Sequence, residues 1–343
     1  MEVVITLKKL LRPQVLIPGV LVAGLLVGLL SFSDLPKVIA LIGGFQRIYL
    51  LWFLLLMLAY TVLRGVQWHY LLTALGIEVP LKTQIFAFAA GEVTKSMPIG
   101  NYFQNYLLQQ ARGADFGRSS AATTLIILTE VAVSLLGVVI LGLGAWTGIV
   151  RPVIVIGLAV FALCAWAFQA FHRRGRAPTW LTEHETLLKA LDEVRQFREG
   201  AAALLHPRVL AIQAVLGTAY LIAGGSALYV VVRGLGIGRV GFWETLAVYF
   251  FSLAFALIVP IPVDVGVIEV SAVGAFVVEG LTRDSAVSAV LANRVLTLGA
   301  SVVIAAIVIL VLHDEFRAAL RERSERSSAS GDSVASQARA TDG

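Results

Sequence analysis

The chain has 343 residues, of which 58% are hydrophobic and 14% are charged, and its formal net charge is +5. Soluble domains carry about 45–50% apolar and about 25% charged residues, so the composition excludes an ordinary soluble protein and predicts an all-α polytopic membrane protein. The single cysteine, Cys164, excludes a disulfide framework and a thiolate metal cluster. Lys and Arg lie mostly between the apolar runs, which indicates membrane topology rather than nucleic-acid binding.

Apolar runs of spanning length predict about seven to eight transmembrane helices. The plain runs are residues 15–31, 48–63, 125–146, 152–171, 209–232, 245–259 and 287–312. Basic residues precede the first run and no small-residue cleavage site follows Leu30, so this run predicts an uncleaved first span. The second helix is expected to continue through residues 64–76 as an interfacial stretch.

Two further stretches combine an apolar setting with helix-breaking residues. The first, residues 83–112, contains Gly91, Pro98 and Gly100, and the second, residues 245–280, contains Pro260, Pro262 and Gly266. Residues of this kind break a spanning helix, and non-helical backbone at membrane depth is tolerated only inside protein or beside a wet cavity. Both stretches therefore predict re-entrant or broken-helix hairpins.

The distribution of positive charge sets an orientation for these elements. With both termini in the cytoplasm, the basic segments fall inside only if the two hairpins enter the membrane from opposite sides. A hairpin followed by an apolar helix, repeated with opposite orientation, predicts the inverted repeats of transporters. The expected location is the cytoplasmic (inner) membrane.

Residues 1–316 are predicted to form one multi-span membrane domain. Within it, the cytoplasmic loop 172–208 predicts an amphipathic helix, either on the inner leaflet or as a docking helix for a partner. Residues 317–343 are rich in Ser, Ala and charge without apolar periodicity, so a disordered cytoplasmic tail is expected.

Ionisable residues within the membrane cost at least about 2.5 kcal/mol each, so each needs a reason. The chain has six such residues: Glu92, Lys95, Glu130, Asp264, Glu269 and Arg294. Glu92 and Lys95 are three residues apart and can pair on one helix face, either only to neutralise each other or with a function. The four carboxylates are candidates for gating or proton coupling.

The second hairpin offers a site for a phosphate. A helix starting near Gly266 presents unpaired N–H groups to an anion, unless Glu269 caps them. Arg294, next to Asn293, can bind phosphate in a bidentate manner, or form a salt bridge with a nearby carboxylate. Lys95, Gly266, Asn293 and Arg294 are the predicted headgroup-binding residues, and no catalytic residue, metal ligand or cofactor is predicted.

These motifs resemble a known family. Pro262, Gly266 and Glu269, followed by a helix that bears Arg294, are similar to the P-G-G-x-G-x-x-E pattern of the lysylphosphatidylglycerol synthase transmembrane-region family, also called flippase-like or UPF0104 proteins. Residues 91–95, Gly-Glu-Val-Thr-Lys, resemble its G-E-x-x-R motif with Lys for Arg. The paired glycines of the family pattern are replaced here by Val263 and Asp264.

The resemblance implies an integral membrane fold with re-entrant helices and a role in moving lipids between leaflets. The soluble aminoacyl transferase domain of the bifunctional members is not expected in this chain. We therefore expect a flippase for an anionic or headgroup-modified lipid, such as a phospholipid, glycolipid or polyprenyl phosphate, and not an enzyme.

Two other hypotheses about the function are compatible with the sequence. The first is a membrane-embedded enzyme that acts on lipid phosphates with carboxylates as acid and base. The second is a non-catalytic scaffold for a lipid or glycan synthase. Membrane lipid is the expected partner in the leading reading, with a synthase as a further partner and no nucleic acid.

Overall fold

The computed structural model describes residues 34–94, 100–142, 185–258 and 266–341. These residues form helices and contain no strand, which confirms the all-α prediction. The helices are α1 (Leu35–Gly43), α2 (Arg47–Ala74), α3 (Leu81–Thr94), α4 (Phe103–Arg112, after a 3-10 turn at Gly100–Tyr102), α5 (Phe116–Gly142), α6 (Glu185–Leu204), α7 (Pro207–Gly234), α8 (Phe242–Ile258), α9 (Val267–Val278) and α10 (Arg283–Thr341).

Four of these helices are long and apolar enough to cross a membrane: α2, α5, α7 and the part of α10 up to Asp314. Large apolar side chains point outward along them, and Leu310 and Val311 of α10 are 79% and 73% exposed. Such surface is stable only against lipid or another protein, so the chain is a multi-pass membrane protein. The predicted spans 15–31 and 152–171 lie outside the described residues, and the predicted total of seven to eight stays a prediction.

The two predicted hairpins are built from helices that are too short to span. At about 1.5 Å per residue, the 14 residues of α3 and the 12 residues of α9 cover about 21 and 18 Å of a hydrocarbon core that is about 30 Å thick. α3 packs against α4, and α8 packs against α9. Each pair is therefore a hairpin of short helices.

The order of helix lengths repeats along the chain. A 28-residue helix, two short helices and a long apolar helix follow one another in α2–α5 and again in α7–α10. The sequence repeats at the same spacing, because Ala59-Tyr60 recurs as Ala219-Tyr220 and the tripeptide Leu-Gly-Ile at 75–77 recurs at 235–237. These identities between the two halves were not among the predictions made from the sequence.

The repeated tripeptide ends both long helices in the same way. Gly76 and Gly236 have φ angles of 66° and 74°, in the left-handed region that favours glycine. The N–H of Ile77 donates to the Leu72 carbonyl at 2.9 Å, and the N–H of Ile237 donates to the Val232 carbonyl at 3.2 Å. This is the six-to-one bond of a Schellman cap, present at equivalent positions.

The two long helices of the repeats pack antiparallel. The N–H of Gln46, at the start of α2, donates to the carbonyl of Gly234, at the end of α7, at 2.8 Å. Halfway along, Tyr60 and Tyr220 meet edge to face with ring centroids 5.3 Å apart, and each is the fourteenth residue of its helix. Equivalent residues that contact each other lie on a two-fold axis. This axis is perpendicular to the helices, so the repeats are inverted.

The hairpins are exchanged between the halves. α3 of the first repeat packs against α10 of the second, and α8 of the second packs against α5 of the first. The larger hydrophobic core surrounds the Tyr60–Tyr220 contact, and a smaller core around Trp68 and Leu108 lies towards the end of α2. Each hairpin therefore packs against the long apolar helix of the other half.

The fifth helix starts earlier than predicted. The apolar run predicted a span from residue 125, whereas α5 begins at Phe116. Its first turns are rich in Ser and Thr, and the hydroxyls of Ser119, Thr123 and Thr124 form hydrogen bonds within the bundle. Thr124 Oγ1 donates to the Ser120 carbonyl at 2.9 Å, and Asn105 Nδ2 donates to Thr123 Oγ1 at 2.9 Å. Hydropathy alone does not detect such a polar but buried helix start.

The amphipathic helix predicted in the 172–208 loop is α6, although residues 172–184 lie outside the described part. α6 packs along α5, and its Glu193 binds the start of that helix. Glu193 Oε2 accepts from the Gly117 N–H at 2.6 Å, and Glu193 Oε1 accepts from Gln109 Nε2 at 3.4 Å. α6 is therefore fastened to the membrane domain through an N-terminal helix cap.

The carboxyl-terminal segment differs from the expected disorder. α10 continues as helix to Thr341. Residues 317–326 consist largely of Ala, Leu, Arg and Glu, which are good helix formers. They extend a helix that already exists, so the unfavourable nucleation step is absent. The prediction of disorder rested on the composition rich in Ser, Ala and charge and on the missing apolar periodicity.

Candidate functional site

A polar cavity of about 190 Å³ lies beside the crossing of α2 and α7. It is lined from both repeats, by residues of α2, α5, α7, α8, α9 and α10 and of the 3-10 turn. Its polar lining residues are Tyr60, Arg64, Asn101, Glu130, Tyr249, Ser252, Glu269, Asn293, Arg294 and Thr297. A cavity with this many ionisable groups in the centre of an apolar bundle is a functional-site candidate.

Arg64 is the centre of the first charged group. Its Nε lies 3.5 Å from Glu92 Oε1, and its Nη2 lies 4.0 Å from Glu130 Oε2. Its Nη1 donates to the Tyr60 hydroxyl at 2.8 Å, and its guanidinium carbon is 5.8 Å from the Tyr220 ring centroid. One guanidinium thus holds carboxylates from the first hairpin and from α5, next to the two-fold axis.

Arg64 corrects the expected role of residues 64–76. Residues 64–76 were predicted to be an interfacial stretch, but only 9% of Arg64 is exposed. Its helix continues for ten further residues, to Ala74, which leaves Arg64 inside the bundle. The burial of Arg64 could have been predicted from the unbroken helical pattern of residues 48–74. Arg64 lies one turn after Tyr60 in this pattern and is therefore far from the helix end.

Glu269 and Arg294 form the second charged group. Arg294 Nε lies 3.2 Å from Glu269 Oε1, although its N–H is not directed for a hydrogen bond, so the contact is an ion pair. Glu269 Oε2 accepts from the Gly266 N–H and caps α9. Both alternatives left open in the sequence are therefore realised: Glu269 caps the helix, and Arg294 pairs with a carboxylate.

This arrangement changes how an anion can bind. The carboxylate of Glu269 already occupies the amino end of α9, where Gly266 was predicted to meet a phosphate. Arg294 has 23% of its side chain exposed and uses its Nε towards Glu269. Among the described residues it has no other ionic partner, so its two terminal nitrogens are the groups that can bind a phosphate. Asn293 lines the same cavity beside it.

The charges in and beside the cavity are mixed. Three carboxylates, Glu92, Glu130 and Glu269, face two guanidiniums, Arg64 and Arg294. An entering phosphate therefore has to share or replace an existing carboxylate partner, and a headgroup amine has carboxylates available to it.

Polar side chains of the first hairpin extend from the cavity towards α5. Asn101 lines the cavity and a small recess beyond it that is also lined by Glu92, Gln104 and Thr123. Gln104 Nε2 donates to Thr123 Oγ1 at 3.2 Å. Glu92 belongs to α3, Asn101 to the 3-10 turn and Gln104 to α4, so the first hairpin has a polar inner face towards α5.

The predicted breakers have different positions. Gly91 does not break α3, which continues to Thr94. It allows α4 to approach instead, since a Cβ on Gly91 would lie 2.9 Å from the Cβ of Gln104. Gly100 begins the 3-10 turn, and its carbonyl accepts from Thr94 Oγ1 at 3.1 Å. Pro98, Pro260 and Pro262 lie outside the described residues.

Two predicted charges also lie outside the described residues, namely Lys95 and Asp264. The predicted Glu92–Lys95 pair thus stays a prediction, while the structure pairs Glu92 with Arg64. No three His, Cys, Asp or Glu side chains converge as metal ligands within the described part of the chain. The described site is therefore one of ion pairs, hydroxyls and amides.

Comparison with known proteins gives this site a context. A search of curated proteins finds no significant match. A family model described as the lysylphosphatidylglycerol synthase transmembrane region matches residues 15–322, which cover both repeats and all the charged residues of the cavity. The match agrees with the resemblance seen at Glu92, Glu269 and Arg294. The chain belongs to the lysylphosphatidylglycerol synthase transmembrane-region family.

Proposed function

We propose that this protein moves a membrane lipid between leaflets, with the headgroup passing through the central cavity and the hydrocarbon chains staying in the bilayer. The observation that carries the proposal is the pair of Arg–Glu groups that face one cavity at the axis of two inverted repeats. Family membership connects the chain to lipid modification or flipping, and the cavity supplies groups of both signs for a polar headgroup.

The inverted architecture supports an alternating mechanism. In such folds one repeat rocks against the other around a site near the membrane centre. Arg64 with Glu92 belongs to the first repeat, and Arg294 with Glu269 belongs to the second. We infer that the headgroup phosphate binds the terminal nitrogens of Arg294, and that carboxylates released from their arginines receive donors of the headgroup.

The proposed substrate is an anionic or headgroup-modified lipid of the phospholipid, glycolipid or polyprenyl-phosphate type. We propose transport without chemical conversion, with membrane lipid as the partner, in a cytoplasmic-type membrane with both termini on the cytoplasmic side. The orientation is supported by the basic segments between the spans.

The test is lipid translocation in proteoliposomes with fluorescent phosphatidylglycerol, aminoacylated phosphatidylglycerol and polyprenyl-phosphate reporters. Arg294→Ala and Arg64→Ala are expected to abolish movement of one reporter class. Arg195→Ala is the matched control, because Arg195 pairs with Glu199 on an exposed surface of α6, where 69% of its side chain is accessible. Folded protein that moves none of the reporters would refute the proposal.

A measurement of chemical conversion of the lipid distinguishes transport from the hypothesis of an enzyme. If the same lipids are chemically altered by detergent-solubilised protein, without two compartments, the protein is an enzyme. If deletion within α6 removes the cellular phenotype while Arg64→Ala and Arg294→Ala preserve it, the protein is a scaffold.

A further inference from the structure

An apolar groove of about 430 Å³ runs along the outside of α2, between α3 and α10. Its walls are aliphatic and aromatic side chains such as Val62, Ile85 and Val308, and its floor includes the small residues Gly65, Ala89 and Ala305. This volume lies within the range of small-molecule sites, about 300–1,000 Å³. The groove is a separate feature from the polar cavity.

The groove has the length of one leaflet. It follows α2 from Leu58 to His69, twelve residues whose eleven steps rise about 16 Å, which is about half of a hydrocarbon core about 30 Å thick. It begins near the middle of the spanning helix α2 and ends close to the α2–α3 connection, at the end of the span. An object that fits it is apolar and as long as one leaflet is deep.

Polarity reverses at the outer end of the groove. His69 and Gln84 line the groove and also a shallow depression of about 440 Å³ beside it, together with Thr73 and Glu78. His69 Nδ1 donates to Gln84 Oε1 at 2.7 Å, an assignment fixed by Gln84 Nε2, which donates to the Val79 carbonyl at 2.7 Å. An apolar slot thus opens into a polar depression at the membrane surface, which matches an amphiphile.

The inner end of the groove lies next to the polar cavity. Glu92 lines the groove and pairs with Arg64, and Arg64 lines the cavity. One carboxylate therefore separates the two spaces, and its arginine partner lies beside the two-fold axis.

We propose that this groove binds one phospholipid of the adjacent leaflet, with an acyl chain along α2 and the headgroup in the depression at His69 and Gln84. The inference rests on the proposed function: the lipid in the groove is the transport substrate before its headgroup enters the cavity past Glu92.

The test places the photoreactive residue p-benzoylphenylalanine at Val62 or Ile85 in the full chain, purified in detergent after expression. Irradiation is expected to attach one phospholipid mass at both positions. Leu51 is the control on the same helix, since it lies outside the groove and is 55% exposed against 54% for Val62. Equal lipid attachment at Leu51 would overturn the proposal, as would a cross-link from Val62 to another segment of the same chain.

A second measurement uses retained phospholipid, determined as phosphorus per protein. Val62→Trp fills the groove and is expected to lower retention several-fold, and Leu51→Trp is expected to leave it unchanged. Ile85→Trp repeats the test from α3 if Val62→Trp does not fold. Lipid retained in the groove without movement of any reporter would sustain this inference and refute the flippase, whereas movement of a reporter with no retained lipid would do the reverse.

Discussion

The ion pair between Glu269 and Arg294 predicts unequal effects for its two members. Glu269 has 3% of its side chain exposed and Arg294 has 23%. Arg294→Met leaves a carboxylate buried without its partner, whereas Glu269→Gln leaves a guanidinium that reaches the cavity and an amide oxygen that still accepts from the Gly266 N–H. Arg294→Met is therefore expected to be the more destabilising change.

Magnitudes follow from burial. Breaking a buried pair costs about 3–5 kcal/mol, and we expect about 3 kcal/mol for Arg294→Met because part of the site is wet. Glu269→Gln is expected to cost about 1–2 kcal/mol, since it retains the cap. The double variant removes both charges and is expected to recover most of the loss, to within about 1 kcal/mol of the parent protein.

The ranking of the three variants by stability is measured by thermal unfolding in detergent, with the folded fraction followed by size-exclusion chromatography. With about 2–4 °C per kcal/mol, Arg294→Met is expected to lower the midpoint by about 6–12 °C and the double variant by less than about 4 °C. If the double variant falls by the sum of the two single shifts, the residues do not form an ion pair in the folded protein, and the reasoning on the second charged group is wrong.

Two further predictions concern helix packing. Gly91→Ala is expected to lower the free energy of unfolding by about 1–3 kcal/mol, and with it the thermal midpoint, because the added Cβ would lie 2.9 Å from Gln104. Gly274→Ala is the control, because an added Cβ would meet no atom within 4 Å, and it is expected to be neutral or stabilising. Glu193→Gln weakens the cap on α5, so limited proteolysis of α6 is expected to accelerate; Glu199→Gln, on the exposed side of α6, is expected to leave the cleavage rate unchanged.

Three features could be predicted from the sequence: that the chain is a membrane protein, that it has two hairpins, and that Glu269 and Arg294 lie within the membrane. Glu269, Arg294 and Asn293 were found because each interrupts an apolar run, where a charge has a cost that demands a reason. The hairpins were found because glycine and proline in such runs are incompatible with a continuous span.

Arg64 and the polar start of α5 were missed for a related physical reason. Arg64 follows the apolar run instead of interrupting it, so hydropathy assigned it to the interface. Whether Arg64 is buried depends on α7 and on the hairpin packed against α2, and these contacts are not local in sequence. The predicted span began at residue 125 because Ser119 and Thr123 are polar, although both hydroxyls form hydrogen bonds in the folded bundle.

The contact between Tyr60 and Tyr220 has a consequence for the way the molecule can move. A point on a two-fold axis is mapped onto itself when the two halves exchange their conformations. Tyr60 and Tyr220 are therefore the fulcrum of any such exchange, and the distance between them stays the same in both end states. Glu92 belongs to the first hairpin and Glu269 to the second, so the two carboxylates lie in opposite halves of the molecule. Spectroscopic labels at Tyr60 and Tyr220 are expected to report the same distance in both end states. Labels on the two hairpins are expected to report one distance that shortens as the other lengthens.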